Sequence, residues 1–288
     1  MISTTPGGSR PDAGETTVVT ETWFSAALNR TKRVNILLPP DYATGRHRYP
    51  VLYLLHGYGG NRDTWLRNTA LPQCVRWLDL IVVLPESGRR WFINDHEGHR
   101  YEDYLVHELV PLVDRNFRST PDRAGRAVAG FSMGGAAAVF QALRHQTTFS
   151  AAAGLGGAFE APLRMGDPYA AHRGDPGLLM PTVESHERVW GEPGSPTRQT
   201  YSPYRLLDRY DRSTPIAFYL GVGTEDYGRV LRMNRTMHGA LRERGIVHEY
   251  HECPGGHDWD FVTRALPATL EFLSRHLTPA RPGGTDEP

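Results

Sequence analysis

The chain has 288 residues, enough for one large domain with a full core. Its 32 Lys and Arg balance its 32 Asp and Glu, so no global field draws it to nucleic acid or to an anionic membrane, and specificity must come from a local site. Two cysteines, Cys74 and Cys253, with no CxxC pair, give no grounds for a disulfide framework, a zinc ribbon or a redox centre, and are expected to be buried thiols.

Residues 1–16, rich in Gly, Pro, Ser and Thr, predict a disordered lead-in. They lack the apolar stretch of a secretory signal, and no apolar run is long enough to span a bilayer, so the expected location is cytoplasmic. Next come TVVTETWF and RVNILLP, two β-type runs with no helix between them, which predict an antiparallel hairpin. VLYLLHG, LIVVLP, RAVAGFS, AAAGLGG, IAFYLGVG and VHEYHECPGG follow as further strands. Several are apolar at nearly every position, as strands covered by helices on both faces are. Helical spacing falls between them in YEDYLVHELVPLVDRNF, MGGAAAVFQALRHQ, GRVLRMNRTMHGALRERG and WDFVTRALPATLEFLSRHL. Pro111 inside the first of these predicts a kink or a late start. The order implies an α/β fold with a mostly parallel central sheet flanked by helices, one domain over 17–279, and a tail at 280–288. Residues 158–210, heavy in Gly, Pro and Arg without periodicity, predict an irregular cap-like insert over the C-terminal edge of the sheet.

Chemistry enters at Gly130-Phe131-Ser132-Met133-Gly134, a G-x-S-x-G pattern between a strand-like and a helix-like run. In that context the serine sits on a tight strand-to-helix turn, exposed at a helix N-terminus whose free N–H groups favour developing negative charge. A serine hydroxyl needs a base. In chain order the acid and then the histidine should follow the serine, each in a loop after a strand. His257, in Cys253-Pro254-Gly255-Gly256-His257, stands where the base should. The loop Gly223-Thr224-Glu225-Asp226 offers two adjacent carboxylates, of which one can hold the imidazole. Asp258 and Asp260 are too close to His257 in sequence to orient it easily. An oxyanion needs two main-chain donors: one is expected from Met133, the other from the loop His56-Gly57-Tyr58-Gly59-Gly60.

Asp95-His96-Glu97-Gly98-His99 is not HExxH and has no evident third ligand, so it reads as a polar loop rather than a metal site. Trp91, Phe92, Tyr101 and Tyr104 nearby could line an acyl pocket or belong to the core.

The stretches YPVLYLLHGYGG, IVVLPESG, YEDYLVHELVPLVDRNF, AVAGFSMGG, GTED and PGGHDWDF run in order over residues 33–275. They resemble the esterase D-like branch of the α/β-hydrolases, a group that includes S-formylglutathione hydrolases, feruloyl and cinnamoyl esterases, enterochelin esterases and mycolyltransferases. The resemblance implies an α/β-hydrolase fold and a serine esterase with Ser132 as nucleophile, Asp226 as acid and His257 as base. It also implies oxyanion donors at Tyr58 and Met133, a small-molecule ester as substrate, and no metal or organic cofactor. Hydrolysis, acyl transfer by the same residues, and a catalytically silent binding module remain three distinct readings, and the oligomeric state is open.

Overall fold

The computed structural model describes residues 14–174 and 179–282. Eight strands make one sheet: β1 (Thr17–Ser25), β2 (Arg30–Leu38), β4 (Val51–Leu55), β5 (Ile81–Leu84), β6 (Arg126–Phe131), β7 (Ala151–Leu155), β8 (Ala217–Gly223) and β9 (His248–Cys253). They lie in the order β1-β2-β5-β4-β6-β7-β8-β9. β1 and β2 form the expected antiparallel hairpin, β2 is also antiparallel to β5, and every later pair is parallel. The short strands β3 (His47–Arg48) and β10 (Arg281–Pro282) pair apart from this sheet. The segment read as a C-terminal tail, 280–288, therefore includes two paired residues, Arg281 and Pro282. Residues 283–288, and residues 1–13 of the expected lead-in, lie outside the described residues.

β4, β5, β6 and β7 are buried at every position. Val51, Tyr53 and Leu55 of β4 share one core with the helix Met133–Arg144, whereas Leu52 and Leu54 share the other with the helix Trp259–His276. Alternate side chains thus feed two cores, which is why these runs read as continuously apolar. Cys74 and Cys253 are free and only half-buried, against the expectation of buried thiols.

The helix containing Pro111 neither starts late nor breaks. It runs as Tyr101–Asp103, a wide π turn over Tyr104–Leu109, then Val110–Asn116. Proline has no N–H to give to the preceding turn, and the wide turn just before it absorbs the missing bond.

The insert between β7 and β8 holds the short helices Val183–Trp190, Pro196–Thr200 and Pro203–Asp208; its residues 175–178 are not described. It is fastened to the body through buried Glu102. The Tyr201 hydroxyl donates to this carboxylate at 2.6 Å and accepts from the Asn94 N–H at 2.9 Å, while Arg144 and His145 bind the same carboxylate. Burial alone would raise the Glu102 pKa. The hydrogen bonds from His145 and Arg144 outweigh it and hold the group down at about 2. Trp91, Phe92, Tyr101 and Tyr104 all belong to the core. Among the described residues no helix is long and apolar enough to cross a membrane.

Candidate active site

β6 ends on Phe131, and Ser132 turns the chain straight into the helix Met133–Arg144 with φ 57° and ψ −116°. That backbone is costly for a residue with a Cβ and persists only where surroundings enforce it. Here the Ser132 N–H donates to the Leu155 carbonyl at 2.8 Å, and the Ser132 carbonyl accepts from Ala136 N–H at 3.0 Å. Space enforces the turn as well. A Cβ on Gly130 would fall on the backbone of Gly134, and one on Gly134 would fall on the carbonyl oxygens of Leu55 and His56. The two glycines therefore let strand, turn and helix pack against each other and against β4.

His257 follows the Gly255-Gly256 turn that leaves β9, and Asp226 lies in the loop after β8. The His257 Nε2 is 2.7 Å from the Ser132 Oγ, and its Nδ1 is 2.9 Å from the Asp226 Oδ2. Both side chains are largely withdrawn from solvent, at 8% exposure for His257 and 0% for Asp226. The imidazole lies against Phe131, with ring centroids 4.8 Å apart. Of the two adjacent carboxylates Asp226 reaches the imidazole, whereas Glu225 is exposed. Asp258 instead caps the last helix by accepting from Phe261 N–H at 2.7 Å.

The loop 56–60 leans on the serine: a Cβ on Gly57 would lie 3.7 Å from the Ser132 Cβ. His56 anchors this loop from beneath. It is fully buried, its Nε2 accepts from Ser87 N–H at 3.0 Å, and its Nδ1 is therefore the protonated nitrogen facing Gly57 O at 2.7 Å. Burial pushes the His56 pKa down to about 4, so it stays neutral. The main-chain N–H groups of Tyr58 and Met133 are not spent on other described residues, and both residues line the space in front of Ser132.

Two spaces meet at Ser132 and His257. One is an open cleft of about 650 Å³ bordered by the 57–60 loop, Glu225, Asp258 and Trp259. The other is a closed pocket of about 30 Å³ between Met133, Trp91 and the insert. Trp91 thus serves core and pocket together. Arg164, Tyr169, His186 and Arg229 also border the closed pocket. Sequence reading did not find them, because they come from scattered points of the aperiodic insert and the start of a later helix, with no motif joining them. Asp95, in the loop weighed as a metal site, pairs with Arg90 and accepts from the His99 N–H.

A family model described as "Putative esterase" matches residues 25–273. An esterase of Mycobacterium tuberculosis (strain H37Rv) is 30% identical over 91% of this chain, and the match covers 60% of that relative. The chain thus spans 60% of that relative's length, less than two thirds. An acetyl esterase of Caldicellulosiruptor saccharolyticus is 24% identical over 88% of this chain and 96% of its own. Among solved structures, a ferulic acid esterase superposes with a TM-score of 0.75 at 25% identity, covering 91% of this chain and all of that one. A fluorophosphonate-binding serine hydrolase of Staphylococcus aureus superposes with a TM-score of 0.79 at 22% identity, covering 91% of this chain and 99% of that one, which speaks for the shared fold.

Proposed function

Because the chain belongs to the esterase family whose model spans residues 25–273, we propose that it is a serine carboxylic-ester hydrolase working through an acyl-enzyme on Ser132. One observation carries this reading: an unbroken hydrogen-bonded line from the Ser132 Oγ through the His257 ring to the Asp226 carboxylate, at 2.7 and 2.9 Å. A serine poised on an imidazole whose far nitrogen is held by a buried carboxylate is the arrangement that makes an alcohol nucleophilic at neutral pH.

In this reading His257 takes the proton as Ser132 attacks the ester carbonyl. Asp226 fixes the tautomer that leaves Nε2 free to accept, and stabilises the imidazolium that forms. The N–H groups of Tyr58 and Met133 receive the oxyanion; their positions in a glycine-rich loop and at a helix N-terminus suit that role. His257 then gives the proton to the leaving alcohol, and water repeats the sequence on the acyl-enzyme. The open cleft suits the alcohol half of a small-molecule ester, and the closed pocket suits a short acyl group.

The test is hydrolysis of p-nitrophenyl esters from acetate to octanoate by the wild type and by Ser132→Ala. Turnover that favours the shortest acyl chains and falls by ~10⁴-fold or more in the variant is expected. Equal, slow rates from both proteins would sink the reading.

A further inference from the structure

The closed pocket beside Ser132 is small, but its wall is not apolar. Arg164 and Arg229 both border it, together with the Tyr169 phenol and the His186 ring. Arg164 is spoken for: it donates to the carbonyls of Gly166 and Pro181 and pairs with Asp167 at 3.1 Å. Arg229 is spent only in part. It is hydrogen-bonded to the Tyr169 phenol, but its Nε is buried without a partner, and among the described residues no carboxylate pairs with its guanidinium. Arg198 is 5% exposed and donates to the carbonyl oxygens of Gly191 and Arg164 rather than to a carboxylate.

His186 is 2% exposed, and neither ring nitrogen has a well-formed hydrogen bond among the described residues. Its pKa is pushed down to about 3, first by burial, then by Arg164 and Arg198, with the Ala161 backbone pulling weakly the other way. A neutral imidazole held only loosely by the Ala161 backbone and a guanidinium whose Nε–H is unspent thus border a pocket that opens on Ser132. Buried polar groups left unpaired are costly, and a bound water, ion or ligand that pairs them relieves that cost. The open cleft has the opposite character, with the carboxylates of Glu225 and Asp258 on its border. An anionic group on the substrate is repelled there and drawn to the closed side.

We propose that this pocket is an acyl subsite for a short chain ending in a carboxylate, so that the preferred esters are monoesters of small dicarboxylic acids. This rests on Ser132 being the acylated residue. The volume of about 30 Å³ leaves room for only a short chain. Arg229 takes the distal carboxylate through a charge-assisted hydrogen bond, with the Tyr169 hydroxyl and the His186 N–H as further donors.

The test compares monoethyl succinate with ethyl 4-methylpentanoate, its uncharged isostere in the acyl half, by proton release at constant pH. A kcat/KM ratio of ~10-fold or more in favour of the succinate is expected. In Arg229→Met that ratio should collapse towards one, and Arg229→Lys should keep part of it. Because both rates come from one preparation, the ratio is independent of how much of a variant folds. A wild-type ratio of one or below, or a ratio unmoved by Arg229→Met, overturns the subsite while hydrolysis of p-nitrophenyl acetate keeps the esterase reading standing. If p-nitrophenyl acetate is not turned over either, both fall together.

Discussion

At the scale of single residues, the loop after β8 puts two carboxylates side by side, and the backbone decides between them. The Asp226 N–H folds back to the Gly223 carbonyl at 3.2 Å while the Glu225 N–H goes to Gly255 at 2.9 Å, so the two side chains leave the loop in different directions. Asp226→Asn should keep the packing but lose the carboxylate that selects the imidazole tautomer, lowering kcat by about 10⁴-fold. Glu225→Gln should leave kcat near the wild-type value. Steady-state kinetics of the two variants decides the matter, and a large loss in Glu225→Gln with a small one in Asp226→Asn would reverse the assignment. From the residues alone this choice stayed open, because sequence adjacency carries no information on which side chain turns inward. Ser132 and His257 stand out more readily as candidates, since each is marked by glycines and by a strand that ends just before it.

At the scale of elements, legibility followed range. The strand–turn–helix around Ser132 is local, with its glycines, strand and helix within a few residues, and the pattern exposes it. Gly134→Ala should therefore be poorly tolerated, because the new Cβ meets backbone oxygens that cannot rotate away. A loss of about 1–3 kcal/mol or more in urea unfolding is expected. A variant as stable as the wild type would mean that β4 and the helix can separate freely. The insert is the opposite case. Its helices are 5 to 8 residues long, too short to stand alone or to show a clear period, and they are held by distant partners. Glu102 lies 99 residues from the Tyr201 that binds it. Tyr201→Phe should cost about 1–3 kcal/mol by stranding the Asn94 N–H and taking one donor from the buried Glu102 carboxylate, which keeps Arg144. Unchanged denaturation by urea would show that the clasp is not holding the insert. The π turn before Pro111 was equally out of reach, since a proline in a helical pattern predicts a disturbance but not how the chain absorbs it.

At the scale of the whole molecule, the buried histidines set a limit on acid tolerance. His56 and His186 move from an ordinary 6.5 to about 4 and about 3 on folding. The folded state resists their protonation and the unfolded chain does not, so their contribution is fully present above about pH 6.5 and is lost as pH falls towards 4 and 3. Glu102, held at about 2 rather than 4.5, adds a further loss below about pH 4.5 with the same sign. Calorimetry should find Tm steady above about pH 6.5 and falling steeply below it; a Tm that holds down to pH 4 would mean that one or both imidazoles reach water or a partner on protonation. The strand order carries a different consequence. Ser132 lies 125 residues ahead of His257, its proposed base, and Asp226 lies 31 ahead, on three neighbouring regions that meet only when β9 has docked at the edge of the sheet. During synthesis the proposed nucleophile emerges first, the proposed acid later and the proposed base nearly last. On those roles a nascent or prematurely released chain carries an inert alcohol, and its reactivity appears only once the far edge of the sheet has closed.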